Sequence, residues 1–225
     1  MQKVAIFGAR GFARELHQLL IDLTAGGMPH ACVGFMVDPG YLETAVVHDL
    51  PVSEDKTILA EDKAIRVVIG IGQTPPRYRI AKDIEREFGD RFAKLRHPRA
   101  WVGDGVPTGA GSVICAGALV TTDISIGAHT HLHVGSKIGH DTVIGDYVTV
   151  APGTTVSGRV QIGAGTFIGA GAVILPDIKI GAWSVIGAGA VVTEDVSDNV
   201  TVVGVPARTI ARRAPGWHLT HNGLQ

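Results

Sequence analysis

The second half of the chain is organised by an aliphatic residue at every sixth position. Fifteen of the sixteen positions in this series are aliphatic, and Thr108 is the one departure. An amphipathic helix repeats about every 3.6 residues and a strand about every 2, so neither element explains a period of six. A hexapeptide repeat predicts a parallel β-helix, in which three short strands and their turns form one coil of about eighteen residues. The series consists of Val102, Thr108, Ile114, Val120, Ile126, Leu132, Ile138, Ile144, Val150, Val156, Ile162, Ile168, Ile174, Ile180, Ile186 and Val192.

The first half of the chain follows the pattern of an alternating α/β unit. Short apolar segments predict buried parallel strands at residues 3–7, 32–37 and 66–71, and a helical pattern follows at residues 14–23. Arg77 opens the next helix. We therefore expect a Rossmann-like α/β domain that binds its ligand at the carboxyl ends of the parallel strands. The residues gathered there are Gly8, Gly11, Asp38 and Gly72.

Composition divides the chain at the same place. Glycine accounts for 30 of the 225 residues, with 9 before residue 101 and 21 after it, whereas lysine and arginine fall from 14 to 6. Nine of the sixteen positions in the series are followed directly by glycine, which we expect to permit tight bends at the coil corners. We therefore predict an α/β domain at residues 1–96, a β-helix at 97–196 and a C-terminal tail or cap at 197–225. An α/β region of this length is half a dinucleotide fold, which argues against an oxidoreductase.

The charge balance and the cysteines exclude several classes of protein. A formal net charge of −1 gives no overall field that would recruit nucleic acid or an anionic membrane. Cys32 and Cys115 form neither a disulfide framework nor a CxxC site. The apolar run between Lys3 and Arg10 is too short for the core of a signal peptide. We therefore expect a cytoplasmic protein that does not insert into a membrane.

Five motifs spread over nearly the whole chain resemble one group of bacterial enzymes. They are GARGFARE at residues 8–15, a strand that ends in Asp38, GIGQTPPR at residues 70–77, the His97-Pro98 boundary and VGVPAR at residues 203–208. With the hexapeptide repeat, they resemble the left-handed β-helix acyltransferases, in particular the nucleotide-aminosugar N-acetyltransferases and sialic acid O-acetyltransferases. The resemblance implies a left-handed coil, a homotrimer and acetyl-CoA bound in the cleft between neighbouring β-helices.

The sequence IGHD at residues 138–141 carries the catalytic part of the resemblance. Family members have His-Asp or His-Glu here, which implies that His140 is the catalytic base and that Asp141 orients or stabilises it. A histidine near neutral pH can take the proton of an attacking amine, and a carboxylate can hold its ring. Gly158 lies one coil of about eighteen residues beyond His140 and leaves room for the thioester. The family uses the matching backbone N–H to bind the acyl carbonyl.

Three histidines in an H-x-H-x-H pattern, His129, His131 and His133, raise the alternative of a zinc site. The hexapeptide frame points His131 and His133 away from the coil axis, and the spacing differs from that of the gamma-class carbonic anhydrases. We expect a trimer-interface or substrate contact instead, with His133 near the sugar. Many family members have a second histidine nine residues after the catalytic one, where this chain has Thr149. We expect Thr149 and His131 at the acetyl-CoA site, with His131 partly replacing that histidine.

Two arginines are candidates for contacts with phosphate groups. Arg10 stands where the family has a small residue in the glycine turn, and it is expected to pair with a phosphate of the nucleotide sugar. Arg208 lies in the tail, which in this superfamily runs near the CoA end of the cleft, so we expect it to meet the phosphates of CoA. The predicted nucleotide-sugar site consists of Gly8, Arg10, Gly11, Asp38, Gly72, Arg77 and His133.

Together these expectations describe an acetyl-CoA-dependent N-acetyltransferase. It acts on the amine of a nucleotide-linked aminosugar by direct attack, with acetyl-CoA as cosubstrate and no metal. O-acetylation of a sialic acid or a related sugar, with the same base on the same scaffold, is the nearest alternative. A metal-dependent hydratase of the gamma-carbonic-anhydrase type and a non-catalytic assembly protein are the alternatives from other classes.

Overall fold

The N-terminal domain is a mixed five-stranded sheet in the computed structural model, which describes residues 1–220. Its elements are β1 (Gln2–Phe7), α1 (Gly11–Ala25), β2 (His30–Met36), β3 (Val46–Val47), β4 (Leu50–Ser53), α2 (Thr57–Glu61), β5 (Arg66–Ile69) and α3 (Thr74–Phe88). The strand order is β3-β4-β2-β1-β5, and only β3 runs antiparallel to its neighbour. The three strands predicted from the apolar segments are confirmed as β1, β2 and β5.

The strand ends of this sheet lie very close to the first turn of α1. Central strand β1 is buried from Val4 to Phe7, and α1 covers it with a leucine face that includes Leu16 and Leu20. Gly70, directly after β5, has no room for a side chain, since a Cβ there would lie 2.7 Å from the Cα of Ala13 in α1. The close approach brings the loops after β1 and β5 together at one edge of the sheet.

The rest of the chain is a parallel β-helix built from strands of two residues. Strands eighteen residues apart pair in parallel, for example His131 with Thr149 and Thr149 with Phe167, and Thr108 keeps the frame through an isolated bridge to Ile126. From Val102 to Val192, the second residue of each strand is buried along the axis, so the prediction from the six-residue period is confirmed. The strands are β6 (Leu95–Arg96), β7 (Trp101–Val102), β8 (Val113–Ile114), β9 (Leu119–Val120), β10 (Ser125–Ile126), β11 (His131–Leu132), β12 (Lys137–Ile138), β13 (Val143–Ile144), β14 (Thr149–Val150), β15 (Thr155–Val156), β16 (Gln161–Ile162), β17 (Phe167–Ile168), β18 (Val173–Ile174), β19 (Lys179–Ile180), β20 (Val185–Ile186) and β21 (Val191–Val192).

Residues with positive φ stand at the coil corners in three columns. The glycine column contains Gly117, Gly135, Gly153, Gly171 and Gly189; the charged column contains Gly105, Asp123, Asp141, Arg159 and Asp177; and the aromatic column contains Gly111, His129, Tyr147, Gly165 and Trp183. Each column steps by one coil, because residues in equivalent places on successive coils must adopt the same backbone conformation.

The glycines that follow the aliphatic positions have a different role from the one predicted. They do not form the positive-φ corners; instead they allow neighbouring coils to stack closely. A Cβ at Gly139 would lie 2.6 Å from the backbone nitrogen of Gly158, and one at Gly127 would lie 2.5 Å from that of Asp146. These positions therefore exclude larger residues through contact between coils rather than through turn geometry.

The N-terminal domain packs on the aromatic column of the β-helix. Tyr78 of α3 meets Tyr147 edge-on at 5.0 Å between ring centroids, and Phe92 meets His129 in the same way at 4.4 Å. The predicted boundary after residue 96 falls directly behind β6, which already pairs with coil strand β8. One apolar cluster joins α1 to Cys115 on the outer face of that sheet, so the two domains share a packed interface.

The C-terminal region continues the stack before turning back. β22 (Val200–Val203) pairs in parallel with β20, and β23 (Arg208–Arg212) pairs antiparallel with β22. A one-turn 3₁₀ helix, Trp217–Leu219, follows. The last five residues of the predicted tail, 221–225, lie outside the described residues.

Across residues 1–220, no helix is both long and apolar enough to span a bilayer.

Gly165 and Gly171 form a matched pair for testing the aromatic column. Both have positive φ, +70° and +67°, but a Cβ at Gly165 would lie 2.2 Å from the Trp183 ring, whereas one at Gly171 would meet open space. We expect Gly171→Ala to lower the free energy of unfolding by about 1 kcal/mol through backbone strain alone. Gly165→Ala should cost about 1–3 kcal/mol more, because Trp183 must move. Urea unfolding measures both losses, and equal losses would contradict the predicted clash.

Candidate active site

A cavity of about 1090 Å³ opens at the carboxyl ends of β1, β2 and β5. Gly8, Asp38 and Gly72, which follow these strands, line it together with Arg10 at the start of α1. The structure thus brings together four of the residues predicted for the nucleotide sugar. Gly11 begins α1 next to the cavity but is not among its lining residues.

The cavity carries cationic side chains whose ion pairs are exposed to solvent. The Arg79 guanidinium donates to the Asp38 carboxylate at 2.5 Å, and the Arg10 guanidinium donates to Glu43. Lys82 is a third cation in the lining. Because the Arg10 and Arg79 side chains are 77% and 44% exposed, they can exchange these partners for phosphate oxygens, which suit the guanidinium fork.

His140 forms a hydrogen-bonded pair with Asp141 of the charged column. Nδ1 of His140 is 2.6 Å from Oδ2 of Asp141, and both side chains are about half exposed. An ionised carboxylate only accepts hydrogen bonds, so the proton of this bond lies on Nδ1. In the neutral ring Nε2 then keeps its lone pair, and it is the atom of His140 that can take a proton from another group.

The His140 ring lies across Gly158 of the next coil. A Cβ on Gly158 would be 2.7 Å from both Cε1 and Nε2 of the ring, so only glycine fits beneath the imidazole in this position. In the described part of the chain, the Gly158 N–H donates to no backbone or side-chain acceptor. A proton-accepting nitrogen and a free backbone donor thus lie on neighbouring coils, at an exposed corner.

The next two residues of the charged column, Arg159 and Asp177, form a salt bridge. Arg159 donates through Nε and Nη2 to the two carboxylate oxygens of Asp177, at 2.6 and 2.8 Å. Its backbone N–H also donates to the carbonyl of His140 at 2.8 Å. The Arg159 hydrogen bonds, with a smaller contribution from His140, lower the pKa of Asp177. The coil that carries Gly158 is therefore fixed on both sides.

Arg77 does not lie in the cavity, because the structure buries it completely between α3 and the β-helix. Its Nη1 donates to the carbonyls of Ile71 and Gly72 at 3.0 and 3.1 Å, and its Nη2 donates to the carbonyl of Tyr147 and the hydroxyl of Thr149, each at 2.8 Å. The Thr149 hydroxyl donates to the Gly72 carbonyl at 2.7 Å. Arg77 thus ties a cavity-lining turn to the coil surface instead of contacting substrate.

His131 and Thr149 are equally inaccessible, at 0% and 1% exposed, so neither lies on a surface that acetyl-CoA can reach. Nη1 of Arg77 is 3.0 Å from Nδ1 of His131, and a guanidinium only donates, so Nδ1 accepts and the ring proton lies on Nε2. Burial and the Arg77 charge hold the pKa of His131 well below its ordinary value. Burial also lowers the pKa of Arg77 to about 9, which leaves it protonated at neutral pH.

The other two histidines of the H-x-H-x-H pattern are held by aromatic neighbours, and the ring centroids of His131 and His133 lie 6.3 Å apart. His129 stacks on Tyr147 with ring centroids 5.0 Å apart, and His133 packs on Phe12 at 4.4 Å. Burial lowers the pKa of His129 and of His133 to about 4. Among residues 1–220, no three His, Cys, Asp or Glu side chains group in a way that would hold a metal ion. His133 is 9% exposed and lies outside the cavity lining, away from its predicted sugar contact.

Several residues that line the cavity were not predicted from the sequence. Arg79 and Lys82 follow Arg77 on α3 and line the cavity. The basic residues of this helix are the sequence signal from which both could have been predicted as candidate phosphate contacts. Tyr78 and His218 also line the cavity, but no periodic signal connects the tail to the N-terminal domain. The described lining comes only from residues 7–83 and 218–220, so the cavity and His140 of the same chain are separate.

The sequence matches the family described as bacterial transferase hexapeptide (six repeats) over residues 123–158 and 159–194. None of the curated proteins compared with the chain matches it.

Three solved structures share the fold over nearly their whole length. WeeI from Acinetobacter baumannii is 31% identical with a TM-score of 0.82, and the match covers 92% of this chain and 99% of that one. A mutant of perosamine N-acetyltransferase from Caulobacter crescentus, bound to CoA and GDP-perosamine, is 28% identical with a TM-score of 0.81, covering 92% and 96%. The acetyltransferase domain of PglB from Neisseria gonorrhoeae, in complex with acetyl coenzyme A, is 25% identical with a TM-score of 0.82, covering 93% and 99%.

Replacing Arg77 should destabilise the interface between the domains. Arg77→Met keeps much of the side-chain volume but leaves the Ile71 and Tyr147 carbonyls without a donor, so we expect the free energy of unfolding to fall by about 3 kcal/mol. Arg79→Met, two residues further on the same helix, removes a partly exposed ion pair and should cost less than about 1 kcal/mol. Urea unfolding without ligand compares the two, and equal losses would argue against the role of Arg77.

Proposed function

The chain belongs to the hexapeptide-repeat transferases, and on that basis we propose an acetyl-CoA-dependent N-acetyltransferase of nucleotide-linked aminosugars in which His140 is the general base. The observation that carries this role is the His140 ring, which bonds to Asp141 through Nδ1 and lies across Gly158 with Nε2 free. The related perosamine enzyme, crystallised with CoA and GDP-perosamine, supports the choice of an amine as acceptor.

The reaction needs a neutral amine, since a protonated one has no lone pair for attack. Nε2 of His140 takes a proton from the sugar amine as the amine nitrogen forms a bond to the thioester carbonyl carbon. The C–S bond then breaks, and the electron pair leaves with the sulfur of CoA. Asp141 stabilises the positive imidazolium through the Nδ1–H bond. The acetyl group passes directly to the amine, without an acyl-enzyme.

Gly158 has a second role in this proposal, through its backbone. Attack on the thioester places negative charge on the carbonyl oxygen, and a preorganised N–H donor lowers the energy of that state. The Gly158 N–H has no acceptor among the described residues and lies beside the imidazole that it would work with. We assign it to the acyl carbonyl, and Arg208, exposed on β23, to the phosphates of CoA.

The nucleotide sugar occupies the cavity of the N-terminal domain. Gly8, Asp38 and Gly72 form the strand-end edge of the cavity, and Arg10 and Arg79 supply cations for the diphosphate. The domain division at residues 1–96, 97–196 and 197–225 then has a functional meaning. The first part holds the acceptor, the second holds the base, and the tail caps the coil stack.

A homotrimer of left-handed β-helices brings the two parts of the site together. In one chain the cavity lining excludes the coil that carries His140, so a neighbouring copy must supply the base to each cavity. The coil faces also expose apolar side chains, with Trp101 at 53%, Leu119 at 42% and Val143 at 51%. Exposed apolar surface of this kind is typical of a protein interface.

Removing the base should abolish transfer without disturbing assembly. We expect His140→Ala to lower kcat by about 10²–10⁴-fold, the usual contribution of a general base. Asp141→Asn should cause a smaller loss, because asparagine tolerates the positive φ at that corner but cannot stabilise the imidazolium. CoA release with a nucleotide aminosugar gives kcat, and sedimentation gives the assembly state.

Asp123→Asn is the matched control for Asp141→Asn. Asp123 lies one coil earlier in the charged column with a similar φ, +57° against +58°. It should keep wild-type turnover. Turnover near wild type in His140→Ala would overturn the assignment of the base.

The importance of the position of the His140 ring can be tested in a variant that keeps the histidine. In Gly158→Ala the new Cβ displaces the imidazole, and a misplacement of about 1 Å at a reacting group costs about 10²-fold in rate. The His140 side chain is 53% exposed and can rotate away, so the melting temperature should stay within a few degrees of wild type. Unchanged kcat in this variant would contradict the role of Gly158.

A further inference from the structure

The C-terminal segment, residues 213–220, returns from the end of the β-helix to the N-terminal domain. The backbone N–H of Arg213 donates to the carbonyl of Asn199 at 2.8 Å, and the Arg213 guanidinium lies over the Trp217 ring at 4.5 Å. Nε1 of Trp217 donates to the carbonyl of Trp183 at 3.2 Å. The segment is therefore fastened to the aromatic column by its own side chains.

His218 completes this attachment and brings the segment to the cavity. Its ring stacks on Trp183 with centroids 3.5 Å apart and an interplanar angle of 1°. Tyr78 of α3 meets both rings edge-on, at 5.5 Å from Trp183 and 5.6 Å from His218. Trp183 can take this place because Gly165, one coil earlier, leaves the space empty.

One wall of the cavity is consequently built by the tail. His218, Leu219 and Thr220 line the cavity together with Tyr78. We call Tyr78, His218 and Leu219 the aromatic wall. The wall consists of two rings and one aliphatic side chain, whereas the cations of the lining are Arg10, Arg79 and Lys82.

The aromatic wall carries no charge at neutral pH. Burial lowers the pKa of His218, so the imidazole is neutral at neutral pH, and its Nδ1 is buried without a hydrogen-bond partner among the described residues. A neutral ring next to Tyr78 and Leu219 offers little to a diphosphate. It suits a planar heterocycle, which gains contact area with aromatic rings.

We propose that the aromatic wall binds the nucleobase of the nucleotide sugar, with the C-terminal segment as a specificity-determining part of the acceptor site. This rests on the proposed function, which places a nucleotide sugar in the cavity. The nucleobase contacts Tyr78 and His218, and the diphosphate lies against Arg10 and Arg79. The tail is thus part of the binding site as well as a cap.

The test measures nucleotide binding separately from transfer. Calorimetric titration with GDP, UDP and dTDP identifies the nucleoside diphosphate that wild type binds best. We expect His218→Ala to weaken binding of that nucleotide about tenfold and to raise KM for the matching nucleotide sugar equally, with KM for acetyl-CoA unchanged. His218→Phe restores a flat ring on Trp183 and should recover most of the binding. A chain ending at residue 213 should resemble His218→Ala.

Arg212→Ala is the control within the tail, since Arg212 is exposed on β23 and does not line the cavity. Binding that is equal in wild type, His218→Ala and the shortened chain would overturn the wall while leaving the proposed function intact. If His218→Ala raises KM for the nucleotide sugar but leaves binding of the nucleoside diphosphate unchanged, the assignment of the wall to the nucleobase is overturned. A wild-type protein that binds none of the three nucleotides would overturn the proposed function and the wall together.

Discussion

The structure depends on the stacking of each residue directly above its equivalent on the preceding coil. Parallel pairing such as His131 with Thr149 fixes this alignment along the whole β-helix. The same alignment sets the backbone conformation at the corners, so it creates the charged and aromatic columns and the close contact of Gly139 with Gly158. Both parts of the proposed site follow from it: His140 lies across Gly158 beside the charged column, and Trp183 of the aromatic column holds the tail.

The two domains are joined by a buried charge that has no carboxylate partner among residues 1–220. Arg77 is balanced by backbone carbonyls from both domains and by the neutral His131 ring. An unpaired buried cation is costly unless its donors are used, so the seam between the domains has little freedom to shift. The turn at Gly72, which lines the acceptor cavity, is held at a set distance from the coils. Rigid placement of this kind matters where the acceptor and the base come from different parts of an assembly.

Periodic features of the fold could be predicted from the sequence, and features created by docking could not. The six-residue period predicted the strands and the axis, and the same frame predicted that His140 and Gly158 meet. The strand ends predicted Gly8, Asp38 and Gly72 at one edge. By contrast, the six-residue frame predicted only that the His131 side chain points away from the axis. The N-terminal domain packs over that face and buries His131 against Arg77. The aromatic wall could not be predicted either, because contacts between Trp183 and His218 join two segments that share no sequence pattern.

In-register stacking also limits how such a chain can change in length. Inside the coils, one residue inserted into or deleted from a strand would turn the next side chains out of the axis, so length should change by whole coils or by loops at the corners. The end of the stack is less constrained: Val185 pairs with Thr201, sixteen residues later instead of eighteen. Beyond that point the chain leaves the repeat and is free to diverge. A lineage of these proteins can therefore remodel the tail while the interior coils keep a fixed length.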